Sequence, residues 1–153
     1  MIDDRAISSA LTYSLVTVIT LALTAGLVFG AESLVNDQRE RTVQNQLDVV
    51  GQRLSSTVMT VDRMGRLDGT TTVGVTREFP QRTAGSQYRI RVSDSPRSDR
   101  GTIYVESRDT GMNVSVPFRL SGAEIEPTTV NGGPVRIVYD PTTSPDTVRV
   151  ERA

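Results

Sequence analysis

Residues 6–31, AISSALTYSLVTVITLALTAGLVFGA, contain no charged side chain between Arg5 and Glu32. Crossing a bilayer's hydrocarbon core as a helix takes about 20 mostly apolar residues, and this run exceeds that with room for tilt. It is therefore read as a membrane segment, longer than an ordinary buried helix. Tyr13 and Phe29 lie 16 positions apart, roughly 24 Å at about 1.5 Å per residue, close to the spacing of the two headgroup belts where aromatics settle. Ser9, Thr12, Thr17, Thr20 and Thr24 run through the segment as a loose hydroxyl stripe, with Ala22, Ala25 and Gly26 nearby. Small and hydroxylated residues let helix backbones approach in lipid, so the pattern points to packing against other helices. The alternative is a lone helix whose hydroxyls bond back to the preceding turn.

The helical pattern continues past the apolar run. Residues 32–64 contain no Pro and a single Gly, and Val43, Leu47, Val50, Leu54, Val58, Val61 and Met64 recur at steps of three and four. That spacing predicts one apolar stripe on an amphipathic helix, with Gln, Arg, Asp and Glu around it. Residues 7–64 are expected to form a single helix of roughly 87 Å, or two helices with a break at Asn36-Asp37, where capping residue types sit. A helix of this length needs a partner surface for its stripe.

From Gly65 to Gly69 the composition changes to β-branched residues interrupted by turn formers. Strands are expected over 71–78, 87–93, 102–107, 112–120, 135–140 and 147–151. Tyr88, Ile90 and Val92 alternate with Arg89 and Arg91, and Met112, Val114, Val116, Phe118 and Leu120 form a second apolar row. Arg108-Asp109-Thr110-Gly111 reads as a hairpin turn, and 140–146 as a longer one. The fold class expected is α+β: a long N-terminal helix, hydrophobic then amphipathic, followed by a small all-β, sandwich-like domain.

Much chemistry is excluded by absence. The chain has no His and no Cys, and all 17 basic residues are Arg. A His- or Cys-based nucleophile, a Schiff-base lysine and a His/Cys zinc site are impossible. No catalytic residue, cofactor or metal site is expected. The carboxylate pairs Glu124/Glu126 and Asp140/Asp146 are the remaining candidates for a hard cation, and solvated loop charge is the simpler account. No Gly-rich phosphate loop is present, and a net charge of -1 creates no basic field for nucleic acid. The lysine-free, Thr/Val/Asp-containing composition is similar to that of extreme halophiles, where Arg pairs with carboxylates under scarce water. Asn113-Val114-Ser115 matches the N-glycosylation acceptor.

The N-terminus, MIDDRAISSA, is short and acidic for a secretory signal, and the apolar run that follows is too long for one. It resembles the class III signal of archaeal type IV pilins and archaellins, in which a few polar residues end in a basic residue plus a small one before a hydrophobic helix. The resemblance implies cleavage by a prepilin peptidase between Ala6 and Ile7, with Arg5-Ala6 as the recognition pair. Ala6 stands where the family more often has Gly, and Leu11 where bacterial pilins have Glu. The implied division is a signal segment 1–6, a helix 7–64 with a membrane or filament-core part 7–31 and an amphipathic part 32–64, and an extracellular β domain 65–153.

Basic groups flank the apolar run almost evenly, Arg5 plus the α-amino group against Arg39 and Arg41, so orientation rests on the resemblance, which implies that the β domain is outside. The function expected is a structural subunit, a major or minor pilin, of an archaeal type IV pilus-like filament with the β domain exposed for adhesion. Val43, Leu47, Val50, Leu54, Val58 and Val61 would then be a helix assembly stripe, packing partly on neighbouring subunits. Its partners would be other pilin subunits, the prepilin peptidase, the membrane and a surface-layer protein, with no nucleic acid. The alternative is a permanently membrane-anchored module that binds the surface layer, resembling archaellum stator proteins. An anchored hydrolase using carboxylates alone is a third class with less behind it.

Overall fold

A computed structural model describes residues 3–69, 71–94 and 99–153, with residues 3–10, 33 and 68 described for the backbone alone. One helix, α1 (Asp3–Asp68), is followed by nine strands: β1 (Val73–Arg77), β2 (Arg82–Thr83), β3 (Ser86–Asp94), β4 (Arg100–Ser107), β5 (Asn113–Arg119), β6 (Glu124–Ile125), β7 (Thr128–Asn131), β8 (Val135–Asp140) and β9 (Thr147–Arg152). The class is α+β, as the sequence patterns predict. The chain divides into two compact units, Met1–Glu40 and Arg41–Ala153.

The helix runs through Asn36 and Asp37 and extends beyond the expected 7–64 at both ends. Gly65 does not terminate it. The stop is Gly69, whose φ of +65° suits a residue without Cβ and whose N–H donates to Gly65 O at 2.9 Å, a left-handed C-terminal cap. Arg66 in the last turn places positive charge at the end of the helix where carbonyls are unpaired.

In the unit 41–153 the strands form two sheets. One has the order β1-β8-β9-β6; the other has β2-β3-β4-β5, with β7 also paired to β3. All pairings are antiparallel except β6 with β9. The turn after β4 is closed by Ser107 N–H donating to Met112 O at 2.8 Å, with Gly111 at φ +67°, as the hairpin signal predicts. The register opposes buried to buried: Ile90 faces Val105 and Val92 faces Ile103 across β3 and β4. Arg89 and Arg91 fall on the opposite, exposed side, where the Arg91 guanidinium lies 4.5 Å from the centre of the Tyr104 ring.

The row on β5 is only partly as expected. Phe118 and Leu120 are buried, whereas Met112, Val114 and Val116 are half-buried, because β5 is the last strand of its sheet. Strands β2, β6 and β7 were beyond the sequence patterns. Two to four residues are too short for a period of two to register, and the pairing comes from partners elsewhere in the chain. Helix residues Val43 to Val61 and apolar residues of both sheets join in one buried cluster.

Candidate functional site

The feature that sets this chain apart is a helix segment whose large apolar side chains face outward. Between Leu11 and Phe29 they are 49–78 % exposed. By length and composition this part of the helix is able to cross a membrane. The hydroxyls within it are engaged locally: Thr17 Oγ1 donates to Tyr13 O, Thr20 Oγ1 to Val16 O and Thr24 Oγ1 to Thr20 O, each at 2.8 Å. Such i to i−4 bonds make a polar side chain acceptable in an apolar surrounding without a second helix. Around Gly26 and Gly30 no atom lies within 4 Å of an added Cβ, so these positions are open notches on the helix surface.

The distal stripe behaves in the opposite way. Val43, Leu47, Val50, Leu54, Val58 and Val61 are 0–4 % exposed and belong to the same cluster as the cores of both sheets. A side chain so enclosed has no surface left for a neighbouring subunit. Val43, at the N-terminal end of the stripe, is inside the cluster with the rest. Met64 leaves the stripe and is 46 % exposed, and the next residue, Gly65, faces the sheet instead. A Cβ at Gly65 would overlap the Tyr139 ring, so the bare backbone of the last turns is what admits that ring.

Beside this contact lies a polar cluster that the apolar pattern did not reveal. Asp62 is buried, and its Oδ2 accepts the backbone N–H of Ser121 at 2.7 Å, while Oδ1 has no hydrogen-bond partner. The Arg66 guanidinium donates to Ser121 O, and the Tyr139 hydroxyl donates to Asp146 Oδ2. Burial, the hydrogen bond to Asp146 and the negative charges of Asp146 and Asp62 push the Tyr139 phenol up to about 12, with Arg66 acting the other way. Asp62 follows Val58 by four residues, so its place on the buried face is the sequence signal that was available.

The remaining expected residues are spread over the chain. Arg5, Ala6 and Ile7 lie in the helix, and their side chains fall outside the described residues. Asn113 is exposed at the first position of β5. Glu126 accepts from Arg149 Nε at 2.7 Å, which accounts for its charge without a cation. Asp140 accepts the hydroxyl and backbone N–H of Thr142, and these bonds hold its carboxyl below the usual range. Asp146 is the acceptor of Tyr139. Among the described residues no group of three or more His, Cys, Asp or Glu side chains is placed to hold a metal ion.

The arrangement defines a class: a helix with an exposed apolar N-terminal segment, continued into a part that is built into a two-sheet β domain. The chain belongs to a family of unknown function (DUF7266), whose model matches residues 2–151. No curated protein and no solved structure is detectably similar to it.

Proposed function

We propose that the protein is a structural subunit, not an enzyme, of a type IV pilus-like surface filament. Its helix segment 7–31 sits in the membrane before assembly and in the filament core afterwards, and the β domain is carried outside for adhesion or surface contact. The observation that carries this reading is the contrast along one helix: apolar side chains between Leu11 and Phe29 are 49–78 % exposed, and those of the stripe from Val43 to Val61 are 0–4 % exposed. An exposed apolar surface of that extent has to be covered by lipid or by other apolar helices. The class III-like pair Arg5-Ala6 before Ile7 supports processing by a prepilin peptidase and departure from the membrane. Residues enclosed by the β domain are not part of the proposed subunit interface, which is confined to the N-terminal segment.

The back-bonded hydroxyls of Thr17, Thr20 and Thr24 favour a second reading, since they let the segment stand in lipid without neighbours. On that reading the chain is a permanent anchor for a domain that binds the surface layer. Shearing filaments from cells and identifying their subunits by mass spectrometry separates the two. A subunit appears in the sheared fraction with Ile7 as its first residue, and Arg5→Asp keeps it unprocessed. Recovery of the protein exclusively in membranes, with Met1 or Asp3 at its start, refutes the filament reading and leaves the anchor.

A further inference from the structure

One end of the β domain carries a small polar hollow, distinct from the helix contacts. It has a volume of about 190 Å³ and is walled by Gln81, Gln87, Tyr88, Arg108, Asn131 and Arg152, with Gly132. These residues come from the start of β3, the residue after β4, the end of β7 and the end of β9, so four strand ends and the segment before β2 converge there. No carboxylate is among its walls.

The charge on its walls is positive. Ion pairs among the described residues join Arg89 to Glu106, Arg119 to Asp99, Arg136 to Glu151 and Arg149 to Glu126, and neither Arg108 nor Arg152 takes part in one. Glu106 and Glu151, the acidic residues next to them along β4 and β9, are held by Arg89 at 2.8 Å and Arg136 at 3.9 Å. Arg108 Nη2 donates to Asn131 Oδ1 at 3.0 Å, which orients the guanidinium and leaves the Asn131 amide N–H groups as donors. Tyr88 donates its hydroxyl hydrogen to Pro80 O at 2.6 Å, so its ring forms a fixed wall. A Cβ at Gly132 would come within 2.7 Å of that ring, and the absence of a side chain there keeps the wall in place.

Two guanidinium groups and three amides around one concavity present donors from several directions. We propose that this hollow is a binding site for a sulfate or phosphate group. The volume is below the roughly 300–1,000 Å³ of pockets that enclose a whole small ligand, which fits a single charged group carried on something larger. A tetrahedral group offers three or more strong acceptor oxygens, matching several converging donors better than a planar carboxylate. Arginine suits it because its fork of N–H donors gives two parallel bonds to one oxyanion. The proposal holds whether the domain is carried on a filament or anchored in a membrane.

The test uses the full chain in detergent micelles, titrated with sodium sulfate and sodium phosphate against sodium chloride at matched ionic strength. Isothermal calorimetry should give saturable binding of sulfate or phosphate and none of chloride. Arg108→Gln and Arg152→Gln should each weaken it about tenfold, as loss of a charge-assisted contact does, and the double variant should abolish it. Arg91→Gln, at an arginine on the sheet surface, should leave it unchanged. In the unmodified protein, sulfate should shift the Asn131 side-chain amide resonances, a readout that needs no variant to fold. Displacement by dextran sulfate identifies a soluble ester as the source, and displacement by phosphatidylglycerol vesicles identifies a lipid headgroup. Equal responses to chloride and sulfate, undiminished binding in the double variant, or failure of both competitors to displace sulfate overturns the proposal.

Discussion

Oδ2 of Asp62 accepts the backbone N–H of Ser121 at 2.7 Å, joining α1 to the connection between β5 and β6 across 59 residues of sequence. This hydrogen bond is made by a carboxylate that is 1 % exposed, inside the helix face that otherwise buries valine and leucine. Asp62→Ala removes the acceptor, and the expected loss of stability is about 1.5–3 kcal/mol, the range for bonds to charged groups. Asp62→Asn retains a carbonyl acceptor and removes the buried charge, so it should lose less. Denaturant unfolding of the full chain in micelles measures both, and equal losses would show that the bond to Ser121 contributes little.

Gly65→Ala directs a methyl group into the Tyr139 ring, and overpacking of this kind costs about 1–3 kcal/mol. Gly51→Ala brings a Cβ to 2.7 Å from Val116 Cγ2, a side-chain end on the half-buried last strand that is able to give way. The expected order of thermal destabilisation is Gly65→Ala above Gly51→Ala, with Gly26→Ala neutral for the β domain.

Leu54→Ala should destabilise the β domain by about 2–5 kcal/mol, since the leucine is fully enclosed. Val43→Asp should act on the same domain, because Val43 is 4 % exposed within its core. Leu23→Ala, at a side chain 65 % exposed, should leave the unfolding transition of the β domain where it was. Comparing the three melting curves separates a stripe used internally from one reserved for neighbours.

Tyr88 and Tyr139 both have their phenols raised to about 12, chiefly by burial. The fold thus favours the neutral phenol over the phenolate more strongly than the unfolded chain does, where the group ionises near pH 10. Below about pH 10 this contribution is fully present. Between about pH 10 and 12 the unfolded chain releases the proton first, and stability falls with rising pH. Tyr139→Phe should flatten part of that decline, which unfolding midpoints measured across the alkaline range will show.

Filling the notches of the N-terminal segment tests assembly apart from folding. Nothing lies within 4 Å of a Cβ at Gly26 or Gly30, so Gly26→Leu and Gly30→Leu should fold as the natural chain does. If helices pack closely in a filament core, the yield of sheared filaments should fall severalfold in both variants. Unchanged filaments would mean that these notches face no neighbour.

The local order of this chain was written in its sequence. A charge-free apolar run, a stripe at three- and four-residue steps and a change to alternating β-branched residues each point to one kind of element, a helix and then strands, and the fold contains those kinds in that order. The alternation of Tyr88, Ile90 and Val92 with Arg89 and Arg91 fixed which side of β3 is buried before any partner was known. What that periodicity cannot encode is the identity of the surface that a buried face meets. The stripe from Val43 to Val61 needed an apolar partner, and only the tertiary structure decided that the partner is the chain's own pair of sheets. The same holds for Gly65, a glycine inside the helix whose missing side chain leaves room for the ring of Tyr139, 74 positions later. Asp62 and Ser121, Arg108 and Asn131, and the strands of two to four residues are likewise products of long-range pairing, whose energy appears when distant segments meet.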